Sequence, residues 1–196
     1  MPRVENHQVD LPEKSATSRR QLLSSLIAGG AFAAAAPLFA SRASAAEEGP
    51  TTTVPPNRDV KDNDTLNAAL NREAQMVATY AAAVAAVTDK NDIAGLTHIH
   101  DHHVAYVQAI KGYLGTDAVD PTGSALASFA GGSFASIANQ LASLENATAA
   151  IHTNSLNSIS GLNAVKLVAS IITVEARHAA ALAVVAGASP LTAAGN

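Results

Sequence analysis

A glutamate and a histidine stand three residues apart in Glu175-Ala-Arg-His178, inside the long apolar segment from Leu162 to Val185. Residues at i and i+3 lie on the same face of a helix. That face also carries the apolar residues Val168, Ile171, Leu182 and Val185. A buried carboxylate is costly unless it is paired, hydrogen-bonded or bound to a metal. A Glu-x-x-His pair that points into a helix bundle therefore predicts half of a metal site.

A second carboxylate interrupts an otherwise apolar seam. The segment from Leu66 to Val87 has apolar residues spaced by threes and fours, which is typical of a bundle seam. Glu73 occupies the one position of that seam without an apolar side chain. We therefore expect Glu73 to face the core and to be a ligand for the same site.

The segment from Ile93 to Leu114 is rich in histidine. Its predicted apolar stripe consists of Leu96, Ile99, Val107, Ile110 and Leu114. With about 100° of rotation per residue, His103 lies near the centre of this stripe and His100 lies on its edge. Three neighbouring polar residues are predicted to point away from the core: His98, Asp101 and His102. The pair His98 and His102 could chelate a surface metal, but a solvated face is the preferred interpretation.

The segment from Ser133 to Asn154 contributes Glu145, which borders its apolar stripe. His152 follows two turns later on the same side, either as a supporting partner of the site or as a surface residue. Tyr80 lies two turns after Glu73 and is interpreted as core packing rather than as a redox tyrosine. Four segments thus each offer a ligand-type residue at or beside the core face.

These segments predict an all-α four-helix bundle, because alternation typical of strands is absent. Asn63 or Asp64, Asp89 or Asn91, and Ser133 are the expected caps of the first three helices. Gly112 and Gly115 are expected to end the second helix, and Gly187 and Pro190 to close the fourth. Residues 115–132 are long enough to span a helix of about 33 Å, and so to form a long crossover between helices two and three.

The first 45 residues predict an export signal. Ser18-Arg19-Arg20-Gln21-Leu22-Leu23 is a twin-arginine motif, an alanine-rich apolar stretch follows, and Ala43-Ser44-Ala45 fits a cleavage site. The prolines and threonines of residues 46–62 predict a flexible leader. The bundle is predicted to comprise residues 63–188, and residues 189–196 are predicted to form a C-terminal tail. The expected location is the periplasm or another exported compartment, with membrane contact only during export.

Charge and cysteine content narrow the function further. The whole chain has 12 Lys+Arg and 16 Asp+Glu, and residues 1–45 hold five and three of these, so the remainder carries a net charge of −6. An acidic chain without a basic patch argues against nucleic-acid binding. The absence of cysteine excludes disulfides, thiolate ligands and a cysteine nucleophile.

On these residues, the chain resembles the ferritin-like domain family over most of residues 60–188, especially its small exported members with a twin-arginine signal. The strongest segment is Ile171-Ile172-Thr173-Val174-Glu175-Ala176-Arg177-His178-Ala179-Ala180. Leu70-Asn71-Arg72-Glu73 and Leu144-Glu145-Asn146 are similar to the single-glutamate segments of the family, and His103 is similar to the histidine of its second Glu-x-x-His. Where that pattern has a glutamate, this chain has His100.

The resemblance implies an inner site that binds iron or manganese, with zinc or copper less favoured. Its ligands would be Glu73, His100, His103, Glu145, Glu175 and His178. Two divalent ions would carry four positive charges against three carboxylates, so the second metal position is expected to be weak. The implied activity is oxygen or peroxide redox chemistry. The alternative is a non-catalytic scaffold or envelope stress protein with a degenerate site, and a homodimer is compatible with either.

Overall fold

The protein, described by a computed structural model over residues 58–130 and 132–187, is built from four long α-helices. They are α1 (Asn63–Ala86), α2 (Lys90–Leu114), α3 (Phe134–Ser155) and α4 (Leu162–Val185), with 3-10 turns at Val60–Asp62, Gly115–Asp117 and Leu156–Ser158. No strand occurs within the described ranges, so the predicted all-α bundle is confirmed. The predicted signal at 1–45, the leader up to residue 57 and the tail at 189–196 lie outside the described residues.

Two of the predicted helix caps are confirmed. The Asp89 side chain accepts a hydrogen bond from the Asn91 N–H at 2.9 Å at the start of α2. At the start of α3, the Ser133 hydroxyl accepts one from the Ser136 N–H at 3.2 Å. Short polar side chains serve here because the first N–H groups of a helix have no partner within the helix.

The start of α1 differs from the prediction. Asp62 precedes the helix, so the predicted caps Asn63 and Asp64 are wrong. The Asp62 carboxylate is fully buried and accepts hydrogen bonds from the N–H groups of Ser160 and Gly161, both at 2.8 Å. It therefore joins the start of α1 to the start of α4 instead of capping its own helix.

The connection between α2 and α3 runs along α1. Its backbone N–H groups donate to the side chains of Asn67, Asn71 and Thr79, in the same order along both segments. The connection therefore runs parallel to α1 and returns the chain to the end of the bundle at which α2 began. The predicted long crossover is confirmed, with α1 and α2 forming one hairpin and α3 and α4 the other.

The core consists of two apolar clusters, one towards each end of the bundle. One includes Met76, Tyr80, Leu96, Leu141 and Leu182, and the other includes Leu66, Leu70, Ile110, Val168 and Ile171. The positions between them along the four helices are occupied by buried polar side chains. The fold thus encloses a polar layer between two apolar ones.

Helix α4 is long and apolar enough to cross a membrane by length and composition alone. Half of its most apolar window is buried inside the bundle, and Glu175 and His178 lie on its buried side. Such burial is typical of the core helix of a bundle.

Candidate metal centre

The polar layer contains three carboxylates and three imidazoles with almost no solvent contact. Glu73, His103, Glu145 and Glu175 are 0% exposed, His152 is 1% exposed and His178 is 2% exposed. The residues come from all four helices: Glu73 from α1, His103 from α2, Glu145 and His152 from α3, and Glu175 and His178 from α4. Groups of these types are seldom buried together without partners or a metal.

Three of these residues form a first group, which we call group A: His103, Glu145 and His178. Each offers a ligand atom, and these atoms lie within 4.8 Å of one another. His103 Nε2 is 3.1 Å from Glu145 Oε1, and His178 Nδ1 is 3.3 Å from the same oxygen. Two imidazoles and one carboxylate thus converge on one point.

The other three residues form group B: Glu73, His152 and Glu175. Their ligand atoms also lie within 4.8 Å of one another. His152 Nε2 is 2.7 Å from Glu73 Oε1 and 3.6 Å from Glu175 Oε1. His103 joins the two groups, because its Nδ1 is 2.7 Å from Glu73 Oε2.

The charges of the metal-free cluster are set by His103. Burial alone would lower the pKa of His103, but Glu145 and Glu73 on either side outweigh burial and raise it to about 10. The imidazolium donates one hydrogen bond to each carboxylate. Burial would raise the pKa of Glu73, yet the charge of His103 and its hydrogen bond lower it to about 2. The pKa of Glu145 is lowered well below its usual range for the same reason.

Glu175 behaves in the opposite way. Burial, followed by the charges of Glu73 and Glu145, raises the pKa of Glu175 to about 10. As a carboxylate it accepts no hydrogen bond on either oxygen from the described residues, whereas the protonated acid can donate one to Glu73. Glu175 is therefore neutral at pH 7 in the absence of metal.

Two further groups border the cluster. The Tyr80 hydroxyl donates to Glu145 Oε1 at 2.5 Å, and its ring lies 5.3 Å from that of His103. The half-buried Arg72 donates through Nε to Thr148 Oγ1 at 2.9 Å. Burial lowers the pKa of Arg72, but the three nearby carboxylates oppose that shift. Tyr80 thus contacts the site through its hydroxyl as well as packing in the core.

The structure does not bring His100 to the cluster. Its side chain is 26% exposed, and its Nδ1 lies 3.1 Å from an Asp101 carboxylate oxygen. The prediction that His100 joins the inner set therefore fails on placement, because the buried arc of α2 turns towards Tyr106 and Tyr113 and away from His100.

His102 differs from its predicted position in the opposite way. We predicted that it points away from the core, but it is only 4% exposed, and its Nδ1 is 2.9 Å from His178 Nε2. The ring of His98 lies edge-on to it, with 4.5 Å between ring centroids. Burial, followed by the neighbouring imidazoles, lowers the pKa of His102 to about 4, so it is neutral at pH 7.

His152 is the cluster residue that the sequence left undecided. Its position seven residues after Glu145 places both on one side of α3. The structure buries it against Glu73, so it is not a surface residue. The available signal was this spacing, which equals two helical turns.

The six side chains of groups A and B suit a bound metal better than they satisfy one another by hydrogen bonds. Within the described residues, both oxygens of Glu175, Glu145 Oε2 and His178 Nδ1 are buried without a hydrogen-bond partner. Buried polar atoms of this kind are rare in folded proteins unless a water or an ion satisfies them. Carboxylate and imidazole donors suit iron, manganese and zinc. The residues present can therefore hold one ion in group A and one in group B.

Comparison with known protein families agrees with the observed fold. The model of the ferritin-like domain family matches residues 61–188, which include all four helices and all six residues of groups A and B. No curated protein and no solved structure matches the chain. Because the family match covers more than half of its length, this chain belongs to the ferritin-like domain family.

Proposed function

We propose that this protein is an exported metalloprotein that binds iron or manganese at groups A and B and uses them in oxygen or peroxide redox chemistry. The observation that carries the proposal is the convergence of three carboxylates and three imidazoles, all buried, on two points between the apolar clusters. When bound, iron or manganese would supply the one-electron chemistry that no side chain here provides.

The two groups differ in donor type and charge. Group A has two imidazoles and one carboxylate, and group B has one imidazole and two carboxylates. An imidazole-rich set accepts iron, zinc and copper, while a carboxylate-rich set favours manganese and iron. Two divalent ions would bring four positive charges to three carboxylates, so we expect the two ions to bind with unequal affinity.

The side chains around the ligands have their own tasks. The apolar clusters exclude bulk water from the site, since all six residues of groups A and B are at most 2% exposed. The Tyr80 hydroxyl holds Glu145 Oε1 in place and leaves Glu145 Oε2 available as a ligand atom. In the absence of metal, His103 and Glu175 hold protons that ligation must remove.

Export is the part of the proposal that depends on sequence alone. The motif Ser18-Arg19-Arg20-Gln21-Leu22-Leu23 supports the twin-arginine route, which carries proteins that are already folded. A protein that takes up its metal in the cytoplasm suits that route, and this is why we propose an exported location.

One observation favours a second candidate, a non-catalytic bundle. The imidazolium of His103 bridges Glu73 and Glu145, so part of the layer is satisfied without any ion. On this alternative the polar layer only specifies the packing of the helices. It predicts that the purified protein contains no stoichiometric metal.

Metal analysis of the purified protein decides between the two. The protein is isolated after export from its own signal, and iron, manganese, zinc and copper are measured per chain. A double variant, Glu175→Ala with His178→Ala, is compared with Asp101→Ala, whose side chain is 67% exposed. We expect metal in the wild type and in Asp101→Ala but none in the double variant. Consumption of oxygen or peroxide by the ferrous-loaded protein then tests the redox function.

Two results would overturn the proposal. Metal-free wild type that also fails to bind ferrous or manganous ion after dialysis would favour the non-catalytic bundle. A double variant that keeps the wild-type metal content would show that the ion lies elsewhere.

A further inference from the structure

His102 makes one contact that the ligand set does not require. Its Nδ1 lies 2.9 Å from Nε2 of His178, and the two ring planes differ by only 8°. The ring centroids are 5.1 Å apart, whereas the two nitrogens are 2.9 Å apart. The rings therefore lie side by side, edge to edge, in nearly one plane. This is the geometry of an in-plane hydrogen bond between two imidazoles.

The contact determines which nitrogen of His178 is available to a metal. Nδ1 of His178 faces Glu145 at 3.3 Å and is buried without a hydrogen-bond partner among the described residues. A neutral imidazole has one N–H donor and one nitrogen with a lone pair. In the metal-free protein an N–H at Nδ1 can face the ionised Glu145 carboxylate. When a metal occupies group A, Nδ1 must present its lone pair, and Nε2 then carries the hydrogen and donates to His102.

We propose that His102 is a positioning residue, which accepts the Nε2–H of His178 in the metal-bound protein and so directs the lone pair of Nδ1 into group A. The inference rests on the proposed binding of a metal at that group. Metal-bound histidines generally donate their second N–H to a carboxylate, a carbonyl or water. Here the acceptor is an imidazole, which orients the ligand without adding a fourth negative charge to the layer.

The surroundings of His102 support this role. His102 is 4% exposed and lies about one helical turn after the buried Ile99 in α2, so its ring has little freedom to turn away. The ring of His98 lies edge-on to that of His102, at an angle of 63°. His102 is therefore held in place by packing, as an orienting residue must be.

Two substitutions separate orientation from packing. His102→Asn keeps a hydrogen-bond acceptor at the branch position that corresponds to Nδ1, whereas His102→Leu fills similar space and removes it. His100→Leu, on the same helix but with its side chain 26% exposed, is the control. Circular dichroism confirms that each variant keeps its helices.

The first measurement uses protein labelled with ¹⁵N-histidine and loaded with excess zinc alone, because imidazole ligands suit this ion. Proton and nitrogen chemical shifts at neutral pH report which ring nitrogen of His178 binds the ion and whether the other one donates a hydrogen bond. We expect a ligating Nδ1 and a hydrogen-bonded Nε2–H in the wild type, in His100→Leu and in His102→Asn, and loss of that hydrogen bond in His102→Leu. A zinc-loaded wild type in which His178 keeps its hydrogen on Nδ1 would overturn the inference without any variant.

The second measurement is titration with cobalt(II) alone, followed by its visible absorption. We expect His102→Leu to bind about 10- to 100-fold more weakly, the usual cost of losing a partner of a metal-bound histidine. His102→Asn should recover most of that loss. Equal affinity of His102→Leu and wild type would overturn the positioning role. Wild type that binds neither cobalt nor zinc would instead contradict the proposed function.

Discussion

His152 Nε2 lies 2.7 Å from Glu73 Oε1, although the two residues are 79 positions apart and belong to helices α3 and α1. The contact gives group B its only imidazole. With His152, the layer has the three imidazoles that were predicted, although His100 faces Asp101 instead of the layer. We therefore consider that His152 takes the place in the ligand set that was predicted for His100.

The first prediction concerns His152 as a ligand. His152→Leu should weaken the metal bound at group B by at least about 10- to 100-fold, because losing a ligand costs no less than losing a supporting partner. The metal of group A should remain. Metal per chain, measured while ferrous or manganous ion is titrated in, gives the result. His100→Leu and His100→Glu are the controls and should leave the stoichiometry unchanged, and a rise with His100→Glu would contradict this account.

The sequence predicted which five residues of α1 to α4 form most of the layer. Glu73, His103, Glu145, Glu175 and His178 all lie where helical periodicity placed them, because each helix has one broad buried face. A polar residue on such a face is easy to recognise, since its neighbours at three and four positions are apolar.

The face of α2 was misjudged for a physical reason. The predicted stripe included Val107, which is only partly buried, and left out Tyr106 and Tyr113, which are buried. Tyrosine is ambiguous in sequence, because an apolar ring carries a polar tip. With both tyrosines in the core, the buried face of α2 is rotated slightly about the helix axis from the predicted face, and His102 lies on it. The sequence alone could not show this rotation, because the contacts between helices decide which side of α2 is buried.

The second prediction concerns the buried link between the starts of α1 and α4. A Cβ atom at Gly161 would lie 2.8 Å from Asp62 Oδ2, which accepts the hydrogen bond of the Gly161 N–H while Asp62 Oδ1 accepts that of Ser160. Gly161→Ala should therefore lower the free energy of unfolding by about 1–3 kcal/mol, because the buried carboxylate must move from its donors. Urea denaturation followed by circular dichroism measures the change.

Gly112 provides the matched control for that substitution. It lies inside α2, and a Cβ atom there would meet nothing within 4 Å. Gly112→Ala should raise the free energy of unfolding by about 0.5–1 kcal/mol, since alanine loses less backbone entropy in a helix. If both variants change stability in the same direction, the Asp62 link is not what makes Gly161 necessary.

The third prediction tests export. Arg19→Lys combined with Arg20→Lys should leave the precursor in the cytoplasm, because the twin-arginine route reads the paired arginines of the signal. Cell fractionation and immunoblotting give the distribution, and Arg42→Lys within the same predicted signal is the control. Unchanged export of the double variant would refute the twin-arginine assignment and leave the metal site unaffected.

The fourth prediction concerns the energetic cost of the site. At pH 7 the unfolded chain has an ionised Glu175, whereas the metal-free fold holds it protonated with a pKa of about 10. Glu175→Gln removes that cost and should stabilise the metal-free protein at pH 7 by about 1–3 kcal/mol. A raised pKa costs nothing below the unfolded value of about 4.5, so the gain should largely vanish at pH 4.5 to 5. The same variant should lose the metal of group B, and stabilisation that is independent of pH would contradict this explanation.

The fifth prediction is proton release on metal binding. His103 in group A and Glu175 in group B both have pKa values raised to about 10 in the metal-free protein, and a ligand must be deprotonated. Filling each group at pH 7 should therefore release about one proton, and the apparent affinity should rise with pH until about pH 10. Glu73, with a pKa of about 2, contributes none. Titration calorimetry in two buffers of different ionisation enthalpy counts the protons.

The same shifts fix the sign of the pH dependence of stability. A raised pKa stabilises the fold fully below the unfolded value, which is about 6.5 for histidine, and this contribution is lost as the pH rises towards 10. Glu175 acts in the same direction from its unfolded pKa of about 4.5 upwards, so the metal-free protein should lose stability between about pH 4.5 and 10. The loaded protein should lose much less, because the metal replaces both protons. Thermal melts at several pH values, with and without manganese, measure the difference. Parallel loss of stability in the two forms, together with no proton release, would show that His103 and Glu175 are not ligands.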